Sequence, residues 1–133
     1  MDRAELTIET RSRLVTDVTG EIERFCRGRG TGLVHVFAPH ATAGLALMEL
    51  GSGSEEDLAE LLGRVLPRDD RYVHRHGARG HGADHLLPTL IPPGVVLVVV
   101  EGELQLGTWQ RIAFIDTNAD NPVRHLQLTF VPG

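Results

Sequence analysis

Apolar and polar residues alternate from Ala4 to Thr10, with Leu6 and Ile8 set between Glu5, Thr7 and Glu9. A period of two predicts a strand with one buried face. The period changes from Thr16 onward, where Val18, Ile22 and Phe25 fall at helical spacing and the Gly28 to Gly32 stretch ends the helix. GLVHVF, from Gly32 to Phe37, reads as a second strand. Pro39 breaks it, and TAGLALM from Thr42 to Met48 resumes extended structure, which leaves His40 at a bend. Ser54, followed by Glu55, Glu56 and Asp57, predicts a helix opened by a hydroxyl cap and early carboxylates. Leu58, Leu61, Leu62, Val65 and Leu66 supply its apolar stripe.

Between Pro67 and Gly82 the aliphatic pattern lapses, and Arg68, Asp69, Asp70, Arg71, Arg75 and Arg79 surround His74, His76 and His81. So long a polar stretch in a compact chain is either disordered or functional, and its histidines favour function. Asp84 to Leu90 reads as a short helix capped by Asp84 and stopped by Pro92 and Pro93. GVVLVVV, from Gly94 to Val100, has no alternation and predicts a strand buried on both faces. Leu104 to Asp116 and Val123 to Val131 read as further strands around a TNADNP turn, giving an antiparallel meander. About six or seven strands clustered apart from two or three helices predict an α+β fold, a single compact domain with an extended, mostly antiparallel sheet layer.

Length and composition narrow the classes. A chain of 133 residues, 41% hydrophobic and 23% charged, suits one globular domain. The formal charge of −5 supplies no positive field for nucleic acid or an anionic membrane, and neither is an expected partner. All thirteen basic residues are Arg, so a lysine Schiff base and a lysine-dependent phosphate loop are excluded. Cys26, the lone cysteine, sits beside Phe25 in the first helical pattern and reads as a packing residue. With a charged N-terminus and no apolar run of membrane length, a cytoplasmic protein is expected.

Seven histidines are many for this length, and His40, His74, His76, His81 and His85 fall at bends and loops. Imidazoles carried on loops can converge on one point, as a metal or acid–base site requires. Neither HExxH nor paired CxxC is present, which excludes a zincin and a zinc finger. His35 and His125 lie within strands and read as sheet positions; His76 and His81 suit solvated surface as well as function. HATAGLALME, from His40 to Glu49, places an imidazole at a strand break, the Thr42 hydroxyl two residues on, and Gly44 where a ligand could approach the backbone. Glu49 closes the run with a candidate catalytic carboxylate. In LGTWQ, Trp109 and Gln110 offer an aromatic face and an amide at a predicted strand start.

Together these segments resemble the YjbQ-like family, also known as the secondary thiamine-phosphate synthase family. The match runs through HATAGLALME, Tyr72 with His74, ADHL ending in His85 and Leu86, GELQLGTWQ from Gly102 to Gln110, and Arg124. The resemblance implies a homotrimer and a site lined by His40, Glu49, His74 and His85, in which the histidines hold a divalent metal, zinc or magnesium. It also implies weak formation of thiamine monophosphate from a pyrimidine diphosphate and a thiazole phosphate, with pyrophosphate leaving. The sequence departs from the pattern at Ala41, Met48, Leu50, the GSGSEED segment, Ile91-Pro92 and Val98.

Two functions follow as expectations. The first is a metal-assisted enzyme on a small phosphorylated ligand, with Glu49 as general base, Arg124 on phosphate and Trp109 stacked on a heteroaromatic ring. The second is a trimeric module that binds metal or ligand without turnover, and a purely structural oligomer is a third reading that leaves the loop histidines unexplained.

Overall fold

The structure is a computed structural model and describes residues 1–74 and 77–133. Its backbone is an α+β domain built on two antiparallel sheets. The larger sheet has the order β1 (Asp2–Glu9), β8 (Val123–Pro132), β3 (Gly32–Phe37), β5 (Gly94–Val100), β6 (Glu103–Leu104). The smaller has the order β2 (Val15–Asp17), β7 (Arg111–Asp116), β4 (Ala43–Met48). Two helices, α1 (Thr19–Cys26) and α2 (Ser54–Val65), and two single turns, α3 (His81–Asp84) and α4 (Leu87–Leu90), complete the chain.

The layers follow from which strands have two apolar faces. Along β7, Ile112 and Phe114 enter the main core with Leu45, Val34, Val36, Leu126, Leu128 and the α1 residues Ile22 and Phe25. Ala113 and Ile115, on the opposite face, pack with Leu62 of α2 and Leu87 of α4. The small sheet is therefore the middle layer, with the large sheet and α1 on one side and α2 on the other. Cys26 is fully buried, as its helical position predicts.

Several sequence expectations are corrected here. GVVLVVV is not buried on both faces: Leu97 and Val99 point inward, while Val96 and Val98 remain 57% and 50% exposed. The doubly buried strand is β7. The predicted strand from Leu104 to Asp116 is two pieces, since β6 ends at Leu104 and β7 begins at Arg111. The C-terminal third is no meander, because β7 crosses to the small sheet and β8 returns between β1 and β3. The helix expected from Thr16 begins at Thr19, where Asp17 accepts both the backbone N–H and the hydroxyl of Thr19. Ser54 starts α2 but does not cap it; Gly53 takes the left-handed position, and Glu55 reaches back to the Gly51 N–H at 3.0 Å.

On the outer face of the large sheet, Leu33 lies opposite both Val98 and Val131, and all three are exposed. With Val96 and Val100 they form an apolar stripe facing outward. No helix among the described residues is long and apolar enough to cross a membrane.

Two glycines give opposite expectations. A Cβ on Gly44 would lie 2.0 Å from the Ile91 carbonyl oxygen, whereas a Cβ on Gly63 in α2 meets nothing within 4 Å. Gly44→Ala should therefore cost about 2–4 kcal/mol through backbone displacement. Gly63→Ala should add up to about 1 kcal/mol through helix propensity. Urea-denaturation midpoints of the two variants against the parent chain check both signs.

Candidate functional site

Two polar clusters sit at the same end of the small sheet, where β7 finishes at Asp116. The first bridges the sheets. Arg124 of β8 donates through Nε to Asp116 Oδ2 at 2.7 Å and through its NH2 group to the Thr42 hydroxyl at 3.2 Å. Thr42 donates in turn to Asp116 Oδ1 at 2.9 Å, and the Asn118 N–H reaches the same oxygen. All three side chains are buried, so the charges are paired and their hydrogen bonds satisfied in a region of little water.

His40 belongs to this cluster. β3 ends at Phe37, so beyond Gln127 the β8 edge has no strand partner on that side, and the His40 ring takes the place of one. Its Nε2 lies 3.0 Å from the His125 N–H and 3.1 Å from the His125 carbonyl oxygen. Whichever of the two it meets, Nε2 is engaged, which leaves Nδ1 for any further partner. The ring stacks on His125 and meets Phe114 edge-on. Burial, and then the nearby Arg124 guanidinium, hold the His40 pKa below the usual imidazole value.

The second cluster is made by the polar loop and α3. The rings of His74, His81 and His85 gather with centroids 4.4 Å (His74–His85), 4.6 Å (His81–His85) and 5.5 Å (His74–His81) apart. His81 and His85 meet through their Nε2 atoms at 3.0 Å. On its other side, His81 Nδ1 stands 3.4 Å from Asp84 Oδ2, and Asp84 Oδ1 is ion-paired with Arg68. Arg68 also donates to the Thr117 carbonyl at 3.3 Å, which ties this loop to the end of β7. Gly82 permits the close packing, since a Cβ there would lie 2.6 Å from Tyr72 Cβ and 3.2 Å from the His74 carbonyl oxygen. Beside the rings lies a polar cavity of about 260 Å3 lined by Asp69, Asp70, Tyr72, His74, Arg79 and His81 among others.

The donor set suits a divalent cation in kind. Two imidazole nitrogens of a tetrahedral centre with bonds of about 2.0–2.1 Å lie roughly 3.3 Å apart, close to the His81–His85 separation. Among the described residues, however, no group of three His, Cys, Asp or Glu side chains stands with its donors around one point. His76 lies outside the described residues.

The sequence-predicted site residues divide accordingly. His74 and His85 come together, and His81 joins them. His81 and His85 are four apart, a spacing that places two side chains on one face of a helical turn. Asp84, read from sequence as a helix cap, instead ends α3 fully buried between Arg68 and His81. His40, Thr42 and Arg124 form the separate sheet-bridging cluster. The open side of Gly44 is filled by Ile91 rather than left for a ligand. Trp109 is 72% exposed in the turn before β7, so core packing does not explain it. The Gln110 amide oxygen accepts from the Gly107 N–H at 2.8 Å and closes that turn.

Glu49 does not meet the histidines within one chain. β4 pairs Ala43 with Asp116 and Met48 with Arg111, so Thr42 and Glu49 stand at opposite ends of the small sheet. Seven residue steps of extended chain at about 3.3 Å each put them roughly 20 Å apart. Glu49 is exposed beyond the strand end.

Because the fold lowers the His40 pKa, the unfolded chain binds the proton first as pH falls. Stability should therefore fall as pH drops through about 6.5, the ordinary imidazole value. His40→Asn should flatten that part of the pH profile, with the Asn carbonyl oxygen still able to accept from the His125 N–H. Thermal melting of both proteins from pH 8 to pH 5 reads the difference.

The comparisons with known proteins agree with this architecture. The family model described as UPF0047 protein YjbQ-like matches residues 4–133. The UPF0047 protein Rv2556c of Mycobacterium tuberculosis is 51% identical over 133 residues, covering 100% of both chains. YugU of Bacillus subtilis is 30% identical over 115 residues, covering 84% of this chain and 86% of its own. The crystal structure of hypothetical protein APE1520 from Aeropyrum pernix superposes with a TM-score of 0.88 at 33% identity, each chain covered fully. With the match spanning nearly the whole sequence, the chain belongs to the YjbQ-like UPF0047 family.

Proposed function

We propose that this chain is a divalent-metal-dependent enzyme acting on a small phosphorylated molecule, with His74, His81 and His85 as the metal-holding set. The observation that carries this reading is the meeting of three imidazoles from the polar loop and α3, one of them backed by a buried carboxylate. Asp84 would orient the His81 ring, as carboxylates beside metal-bound histidines do. All-imidazole ligation favours zinc over magnesium. A cation held there supplies positive charge against a phosphoryl oxygen or a departing diphosphate.

The chain's own residues do the rest. The polar cavity beside His74 and His81 gives room for a phosphorylated group, and Arg79, in a 3.7 Å ion pair with Asp70, can turn its guanidinium to that group. Formation of thiamine monophosphate from a pyrimidine diphosphate and a thiazole phosphate is one reaction of this class. The outward stripe of Leu33, Val96, Val98, Val100 and Val131 supports assembly into the expected homotrimer, since burial of such a stripe between copies removes apolar surface from water. The cytoplasm is the expected compartment.

A second reading, a trimeric module that binds metal or ligand without turnover, is favoured by the position of Glu49 and by the capture of Arg124 by Asp116. Calorimetric zinc titration separates the readings when run beside a pyrophosphate-release assay. Zinc should bind the parent chain, and His81→Ala and His85→Ala should each weaken it by about tenfold or more. Glu49→Gln should leave zinc affinity unchanged. Zinc binding with no pyrophosphate release across a panel of diphosphate esters would select the module; no zinc binding would remove the metal site. Separately, Val98→Arg should reduce the assembly to the 14.5 kDa monomer by light scattering.

A further inference from the structure

Arg68 stands where the polar loop, α3 and the end of β7 meet. Its NH1 nitrogen donates both to Asp84 Oδ1, sixteen residues on, and to the Thr117 carbonyl at 3.3 Å. Gly80 makes this approach possible: it takes a left-handed φ of 80° at the start of α3, and a Cβ there would lie 2.7 Å from Arg68 Cβ. The loop is tied down again beside it, where the Tyr72 hydroxyl donates to the Pro67 carbonyl at 2.7 Å and Tyr72 packs on Gly82. Although its side chain is 45% exposed, Arg68 is therefore a cation held in place from two sides.

The two oxygens of Asp84 are thereby given different neighbours. Oδ1 takes Arg68, and Oδ2 is turned to His81 Nδ1 at 3.4 Å. Asp84 is fully buried, so its charge rests on Arg68 for compensation. A carboxylate paired with a guanidinium offers only acceptor sites, and an imidazole nitrogen facing it carries the proton. For a neutral His81 that puts the hydrogen on Nδ1 and the lone pair on Nε2, the nitrogen that stands 3.0 Å from His85 Nε2. The lone pair is thus aimed into the imidazole cluster.

We propose that Arg68 is a positioning residue for the imidazole cluster: by holding Asp84 as a carboxylate turned to His81, it fixes His81 in the tautomer whose Nε2 lone pair faces His85. Arg68 acts through Asp84. Because NH1 makes both of its contacts, a lysine ammonium in the same place could make them too, so the requirement is for a cation there rather than for a guanidinium fork. The consequence for metal rests on the reading of His74, His81 and His85 as the metal-holding set; the tautomer does not, and is read in the metal-free chain.

Imidazole nitrogen chemical shifts of His81, recorded in the metal-free chain above the imidazole titration range, are read beside calorimetric zinc titration. The parent chain should show a protonated Nδ1 and an unprotonated Nε2. Arg68→Gln and Asp84→Asn should each bring the other tautomer of His81 to a comparable population and weaken zinc binding by about tenfold. The double variant should bind zinc no more weakly than Asp84→Asn alone, since two residues acting in series do not add. Arg68→Lys should keep the parent tautomer and most of the zinc affinity. Arg68→Met, which keeps the stem against Gly80, carries the test if Arg68→Gln fails to fold. The proposal is overturned if His81 of the parent chain carries its proton on Nε2, if the Arg68 variants leave the tautomer unchanged, if Arg68→Lys is as impaired as Arg68→Gln, or if the double variant loses the sum of the single effects. A parent chain that holds the Nδ1–H tautomer, loses it in Arg68→Gln and yet takes up no zinc would remove the metal reading and leave the role of Arg68 standing.

Discussion

The arrangement of this domain hangs on the buried ion pair between Asp116 and Arg124. Each group loses several kcal/mol of hydration on burial, and the pair is tolerable only because Thr42 and the Asn118 N–H fill the remaining hydrogen-bonding positions. Asp116 belongs to the small sheet and Arg124 to the large one, so their bond fixes the two layers against each other at one end. From there the constraint spreads through neighbours. It sets the end of β7, which places the Thr117 carbonyl for Arg68; Arg68 holds Asp84, and Asp84 faces His81. The imidazole cluster is thus anchored to the sheets through a relay of charged and hydrogen-bonded groups, although its own residues lie on a loop and a single helical turn.

Much of this was legible in the sequence, and the failures have physical reasons. The polar stretch after Pro67 stood out because the aliphatic period stopped, and His74 and His81 do gather there with His85. The strands from Gly32 to Phe37 and Thr42 to Met48, with His40 at the bend between them, were readable because Pro39 interrupts a clear pattern. GVVLVVV misled because a strand whose two faces are both apolar shows no alternation, whether its outer face is covered within the chain or lies on the surface. The doubly buried strand was hidden for the converse reason, since RIAFID carries a charge at each end. Asp84 reads as a cap to any local rule; only the fold brings Arg68 across to it, sixteen residues away in sequence.

Glu49 illustrates a different limit. A resemblance groups residues by motif, and His40 and Glu49 lie in one motif ten residues long. A strand, however, spends its residues on distance. The six residues of β4 run between them in extended form, so two residues near in sequence finish at opposite ends of the small sheet. The helical turn does the opposite at His81 and His85, where four residues of sequence bring two rings to one point. Which element carries a motif therefore decides whether its members can act together, and the length of the extended run already contained that answer for Glu49.

The surfaces divide along the same lines. Charged and imidazole groups concentrate at the β7 end of the small sheet, where α2, α3 and the polar loop shield two carboxylates from water. The outer face of the large sheet carries Leu33, Val96, Val98 and Val131 together around His35, while Arg3, Glu5, His125 and Gln127 make its β1 side polar. These two regions make incompatible demands. The first needs low dielectric with its buried charges paired, which walls of helix and loop provide within a single chain. The second offers a flat apolar stripe whose backbone groups are already bonded within the sheet, so covering it would bury area without leaving a hydrogen bond unmade. Because the main core separates the two, a partner could cover the stripe without displacing the groups that hold the imidazoles, and the site could change its occupant without loosening the outer face.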